Sequence, residues 1–171
     1  MSRIHLLTCC LLLLTLLGVS TGQQLAISAR VIGVHDGDTI TVLTPIYTTL
    51  KIQLAFIDAP ELSQPFGYRA KQAMSMLVYG RDVTLRTRSH YRYDRTVAMV
   101  FIKGTDVGLQ LLRQGLAWPY YHYLSEATPE VQTSYLAAAE DARAARIGLW
   151  RDSEPMAPWL FRHSHVLTID Y

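Results

Sequence analysis

Apolar residues along this chain change period three times, and the order of those changes limits the folds open to it. From Ala29 to Val42 apolar and polar residues alternate around Asp36-Gly37, and from Leu50 to Ile57 they alternate again, with Ile52, Leu54 and Phe56 on one face. Period two marks strands, and the Pro45-containing stretch from Thr44 to Thr49 reads as their connection. From Gly67 to Val78 the apolar positions Ala70, Ala73, Met74, Leu77 and Val78 take helical spacing, with Gly80 as the stop. Period two returns from Val83 to Thr87, and after the polar stretch Ser89 to Arg95 the run Val97 to Ile102 completes a hairpin. Val107 to Gln114 then predicts a short helix ended by Gly115. A longer helix follows, with Thr128 as N-cap, Pro129 first, a body from Val131 to Arg146 and Gly148 past its end.

Three strands, a helix, two strands and two helices fit an α+β chain: a small five-stranded β-barrel of the OB type with about three helices, often used to present a face to oligonucleotides or oligosaccharides. Fold alone does not assign an activity. With 171 residues, 50% of them hydrophobic and 18% charged, the chain suits one globular domain with one core. The domain is expected over 29–152, followed by a loosely attached tail, 153–171.

The N-terminus is of another kind. Arg3 precedes an apolar run from Ile4 to Leu17, broken by His5 and Thr8, and then come the small residues Gly18, Ser20, Thr21 and Gly22. That is the layout of a secretory signal over 1–22, so export to the periplasm or medium is expected. An uncleaved anchor is the alternative, although the run falls short of the roughly 20 apolar residues of a spanning helix. Cys9 and Cys10 both lie inside the signal, which leaves the mature protein no thiol for a disulfide, zinc or nucleophilic catalysis.

The net charge of +2 does not itself advertise a polyanionic partner, but its distribution is uneven. Nine Lys or Arg stand against three Asp between Arg69 and Arg113, and four acids (Asp36, Asp38, Asp58, Glu61) stand against Lys51 alone between His35 and Glu61. A site that holds both a cation and a phosphate needs such neighbouring clusters.

Asp36-Gly37-Asp38-Thr39 is, taken alone, a turn signal, and Ile57-Asp58-Ala59-Pro60-Glu61 a strand exit. Joined by short connections, they bring Asp38 and Asp58 side by side, an arrangement that is costly unless a cation lies between. Oxygen ligands without cysteine or paired histidine favour calcium, with magnesium as the alternative, because a backbone carbonyl such as that of Ala59 suits calcium's looser shell. His163 and His165 are the one histidine pair at ligand spacing. Arg95, beside Arg92 and Tyr93, offers a planar fork for phosphate, and Tyr120, Tyr121 and Tyr123 after Trp118 offer an aromatic platform, though such groups are as often surface or packing residues.

Taken in order, Asp36-Gly37-Asp38-Thr39, Leu54 to Glu61 (LAFIDAPE), Tyr93-Asp94-Arg95 and Leu112-Arg113-Gln114-Gly115-Leu116-Ala117 resemble the staphylococcal nuclease (thermonuclease) family. Ala144, Arg146 and Gly148-Leu149-Trp150 resemble its ending, so the likeness covers Ala29 to Asp152, about three quarters of the chain. The resemblance implies a calcium-dependent nuclease acting on DNA, RNA or both and leaving 3′-phosphates. It implies Asp38, Asp58 and the Ala59 carbonyl as direct calcium ligands and Asp36 as a ligand through water. Glu61 would activate the attacking water, Arg95 would stabilise developing charge, and Arg92, Tyr93, Tyr121 and Tyr123 would hold substrate.

One position departs. The family carries a second arginine five residues before the strand-end Asp, where this chain has Gln53. An uncharged donor there would raise the barrier by about 2 to 4 kcal/mol, unless Lys51, on the same face by strand parity, substitutes in part. The competing expectation is an OB-type module, weakened in catalysis, that binds nucleic acid or another polyanion. Against it, an acidic trap repels phosphate unless a cation is bound. A monomer without a stable membrane span in its mature form is expected.

Overall fold

The computed structural model describes residues 26–92 and 95–166, and the side chains of 88–92, 95 and 165–166 lie outside that description. The expected signal, 1–22, lies outside the described residues as well. Five long strands form the barrel: β1 (Ala26–Val34), β2 (Thr39–Leu43), β3 (Thr49–Leu54), β5 (Asp82–Arg92) and β6 (Arg95–Ile102). Two short strands, β4 (Ile57–Asp58) and β8 (Trp118–Pro119), pair separately, and β7 (Thr105–Asp106) extends the sheet beside β6.

Strand order is β3-β2-β1-β5-β6-β7, and β3 also pairs in parallel with β6, which closes the sheet on itself. Closure removes both exposed edges of the five-stranded wall, so this is the expected OB-type α+β barrel. Alternation does what the sequence predicts: Val31, Ile40, Val42, Ile52, Leu54, Leu85 and Val100 point inward and are buried.

The third strand was expected to run through Ile57, and it does not. Phe56 takes a left-handed conformation (φ 68°), so the chain leaves the barrel after the Ala55 N–H has bonded the Ala98 carbonyl at 2.9 Å. Beyond that corner Ile57 faces Pro119 and Asp58 faces Trp118 in the β4–β8 pair. An unfavoured backbone conformation of this kind persists only where its surroundings hold it; here the Tyr120 N–H bonds the Phe56 carbonyl at 2.9 Å.

The helix α1 (Gly67–Val78) forms as expected and buries Ala70, Met74 and Val78 against the barrel. Next come α2 (Val107–Arg113), the single turn α3 (Tyr121–Leu124) and α4 (Pro129–Ala144), the last with Thr128 accepting from the Val131 N–H as N-cap. Asp106 accepts from the Leu109 N–H to cap α2 and receives the Tyr135 hydroxyl of α4 at 2.9 Å, fixing the two helices to each other. Burial raises the carboxyl of Asp106 above its ordinary value and, with the nearby Asp106 charge, raises the phenol of Tyr135.

About three helices were expected, and the described residues hold five α-helices and a 3-10 turn, Gly148–Arg151. The additional α-helices are the single turn α3 and α5 (Pro158–Val166), which lies in the segment expected to be loosely attached. That segment docks. The Gln64 amide donates to the Met156 carbonyl at 2.6 Å, Ala157 is buried, and Trp159 stacks on Tyr120 with centroids 5.8 Å apart. No helix among the described residues is long and apolar enough to cross a membrane.

After α4 the chain turns through Gly148 (φ 60°), where the Leu149 N–H bonds the carbonyl of Gly115 (φ 61°) at 2.8 Å. A β-carbon at Gly148 would press into that carbonyl. Gly148→Ala should therefore cost about 2 kcal/mol through left-handed strain and overpacking. Chemical denaturation against the parent protein measures it; a midpoint unchanged at equal m-value would show that the two backbone segments separate freely.

Candidate active site

The loop between β1 and β2 is a tight turn. The Asp38 N–H bonds the Asp36 carboxylate at 3.0 Å, and the Leu54 N–H bonds the Asp38 carbonyl at 2.8 Å. Glycine is required at its centre because a β-carbon on Gly37 would stand 2.6 Å from the β-carbons of both Ala59 and Ala70. This approach presses the turn against the exit of β4 and the start of α1.

Asp38 is held across that contact. Its Oδ2 accepts from the Ala59 N–H at 3.0 Å and its Oδ1 from the Thr39 hydroxyl at 3.1 Å. Asp58 lies one residue before Ala59 on β4, and its side chain is 3% exposed. Burial raises the pKa of Asp38 well above the ordinary carboxylate value, and the charges of Asp36 and Asp58 push it further up, while the Ala59 N–H opposes them. Burial raises Asp58 too, although the Arg162 guanidinium pulls in the other direction.

These acids share an open cavity of about 870 Å³, which Gln53, Tyr120, Tyr123 and Glu126 also line. The sequence reading did not single out Arg162. This residue of α5 donates two bonds to Asp58, at 2.6 and 3.1 Å, and one to Glu61 at 2.7 Å. These charge-assisted bonds hold the guanidinium more firmly protonated than usual. It is the one Lys or Arg among the described residues lining the cavity.

Asp36, Asp38, Asp58, Ala59, Glu61, Gln53 and Tyr123 thus line one cavity; spacing suggested this for Asp38 and Asp58, and the family resemblance implied it for the others. Lys51 and Tyr121 are exposed and stand outside the described lining. The backbones of Arg92 and Arg95 pair across the β5–β6 hairpin, but their side chains, and Tyr93 entirely, lie outside the described residues.

The sequence pattern of staphylococcal nuclease homologues matches residues 51–152. The chain belongs to this family. It is 37% identical over 170 residues to an uncharacterized endonuclease of Haemophilus influenzae, covering 99% of this chain and 91% of that one. It is 33% identical over 144 residues to a micrococcal nuclease of Shigella flexneri (79% and 80% covered) and 33% identical over 158 residues to the protein ParB of Escherichia coli (87% and 86%).

The donor set of this staphylococcal nuclease homologue is all oxygen, which suits a hard divalent cation, and the guanidinium between Asp58 and Glu61 shows that the place attracts positive charge. Among the described residues no three Asp, Glu, His or Cys side chains surround one point closely enough to make a ready-formed metal site. Arg162 holds Asp58, and Thr39 and Ala59 hold Asp38. A cation would have to rearrange these partners.

The buried acids also set a pH dependence. With its folded pKa raised above the unfolded value, Asp38 keeps its proton in the folded chain through the window between the two. Its contribution to stability is full below the unfolded pKa and is lost as pH rises through the folded one. Asp38→Asn keeps the shape without the charge, so in chelator it should melt higher than the parent at about pH 8, with the gain fading toward about pH 4. Melting curves followed by circular dichroism at both pH values check this; an equal gain at both would assign it to something other than the buried charge.

Proposed function

We propose that this chain is a calcium-dependent endonuclease that hydrolyses phosphodiester bonds of DNA, RNA or both and leaves 3′-phosphates. The observation that carries the proposal is the convergence of Asp36, Asp38, Asp58 and Glu61 on one cavity, where burial and the charges of Asp36 and Asp58 raise Asp38 and where Asp58 is balanced by Arg162. Asp38, Asp58 and the Ala59 carbonyl would hold calcium directly and Asp36 through water; magnesium suits that carbonyl-bearing shell less well. A divalent cation held there would neutralise the carboxylates and polarise a phosphoryl oxygen.

The chain's own groups do the rest. Glu61, half-buried at the cavity wall, takes the proton of the attacking water as its oxygen bonds to phosphorus. The bond to the 5′ oxygen breaks, and that oxygen leaves as a hydroxyl with a proton taken from solvent water. Arg95 meets the charge that grows on the phosphoryl oxygens. Tyr123 in the cavity stacks or positions the strand, and Lys51, Arg92, Tyr93 and Tyr121 contact it where it runs beyond the cavity. The signal-like N-terminus supports export, with an uncleaved anchor as the alternative, and we take the working form to be a monomer.

The second reading, a nucleic-acid-binding module weakened in catalysis, is favoured by Gln53, which lines the cavity where the family has an arginine. Cleavage assays separate the two. Single-stranded DNA and RNA should be cut in calcium, less well in magnesium and not in excess chelator. Glu61→Gln and Arg95→Ala should each lower turnover by about a hundredfold or more, the scale of a lost general base or charge-stabilising donor. Affinity for substrate should change far less in Glu61→Gln. Binding in calcium with no cleavage above these variants would establish the module instead.

Gln53→Arg should raise turnover and leave calcium affinity nearly unchanged, because this side chain faces the phosphate rather than the cation. Steady-state kinetics beside calcium titration read both; no gain in rate would mean that another group already supplies that charge.

A further inference from the structure

We propose that Arg162 is a substrate-positioning residue of this site: it braces Asp58 and Glu61 until a divalent cation takes Asp58, and then binds a phosphate of the entering strand. The inference rests on the cation-dependent nuclease reading. Its first ground is exclusion. Arg162 spans Asp58 through both terminal nitrogens and reaches Glu61 with one of them, at 2.6 to 3.1 Å. A guanidinium that takes both oxygens of Asp58 competes with a cation for them, and two positive centres sharing one carboxylate repel each other. One must yield.

The second ground is where Arg162 goes when it yields. Helix α5 is anchored independently of the carboxylates: Trp159 stacks on Tyr120 and meets Trp118 edge-on, each at 5.8 Å, and Gln64 bonds the Met156 carbonyl at 2.6 Å. The arginine therefore stays at the cavity with its fork free, and with its side chain 44% exposed it already faces the opening. A planar bidentate donor matches phosphate as well as it matches carboxylate. Need is the third ground. Five acids (Asp36, Asp38, Asp58, Glu61, Glu126) line the cavity against this one described arginine, and Gln53 adds no charge. An anionic strand entering such a cavity requires every cation present.

The test uses the full chain and its Arg162→Ala and Arg162→Lys variants. Calcium chloride alone is titrated by calorimetry, and cleavage of a single-stranded DNA oligonucleotide is measured in saturating calcium. Removing the competitor should tighten calcium binding by about tenfold in Arg162→Ala, while KM for DNA rises about tenfold with a smaller change in kcat, the scale of one lost charged contact. Arg162→Lys keeps the charge without the fork and should fall between. A purely structural role for Arg162 would instead weaken or leave unchanged the calcium affinity. Calcium binding of equal strength in all three proteins, or an unchanged KM in Arg162→Ala, would overturn this proposal and leave the nuclease reading standing. Calcium binding in none of them would overturn both.

Discussion

The bond from the Ala59 N–H to the Asp38 carboxylate depends on nearly every other feature of the architecture, and the site depends on it. A carboxylate buried beside two others is unfavourable, and the fold tolerates it because three backbone decisions converge there. The glycine turn admits Ala59 and Ala70 to within touching distance of Gly37. Barrel closure through β3 and β6 fixes the last strand residue, Leu54, against the Asp38 carbonyl. The left-handed corner at Phe56 then swings Asp58 out of the barrel wall and into the same cavity. Relaxing any one of them would separate the carboxylates and relieve the repulsion, so the site holds strain that the packing of α1 and the barrel sustains.

Parts of this were legible and parts were not, for reasons that differ by residue. Helices α1, α2 and α4 follow from local signals: apolar spacing of 3.6, Thr128 and Pro129 at a start, Gly115 and Gly148 at stops. The acidic residues were legible because each sits at a turn or strand exit that short-range chemistry marks. Phe56 carries no such mark. A bulky aromatic is a poor candidate for positive φ, and what holds it there is the bond from Tyr120, sixty-four positions onward in sequence. The docking of α5 was illegible for the same reason. Trp159 and Phe161 follow Pro158 in a short segment with weak periodicity, and what gives Arg162 its meaning lies about a hundred residues earlier, at Asp58 and Glu61. Local sequence specifies elements; long-range partners specify which of them enter a site.

Charge counting by segment also has limits that the structure explains. The basic excess between Arg69 and Arg113 suggested a phosphate-attracting surface beside the acids, yet some of its arginines lie over aromatic rings. Arg86 lies 4.4 Å from the Phe101 ring centre and Arg69 lies 5.1 Å from that of Phe66. Such contacts use one face of the guanidinium as a packing surface, and neither arginine lines the cavity. Among the described residues the basic side chain that reaches the cavity, Arg162, came from a segment that the count left out.

A phosphate-binding arginine carried on a separate helix behaves differently from one fixed on a barrel strand. A strand position such as Gln53 is rigid, so a charge there would be present whether or not a cation had arrived, and it would pull a strand of nucleic acid into a cavity still unable to cut it. Arg162 is committed to Asp58 and Glu61 while those carboxylates lack another partner. Its positive charge is then cancelled locally, and the cavity as a whole remains acidic and repels phosphate. On the proposed reading, arrival of a cation would reverse both terms together: carboxylate charge would be neutralised and arginine charge released toward the opening. Affinity for an anionic strand would thus rise more steeply with cation concentration than neutralisation of the acids alone provides. Reading position 53 in isolation suggests a loss of function; read with the role proposed for Arg162, the same substitution would transfer control of substrate binding from the barrel to the cation.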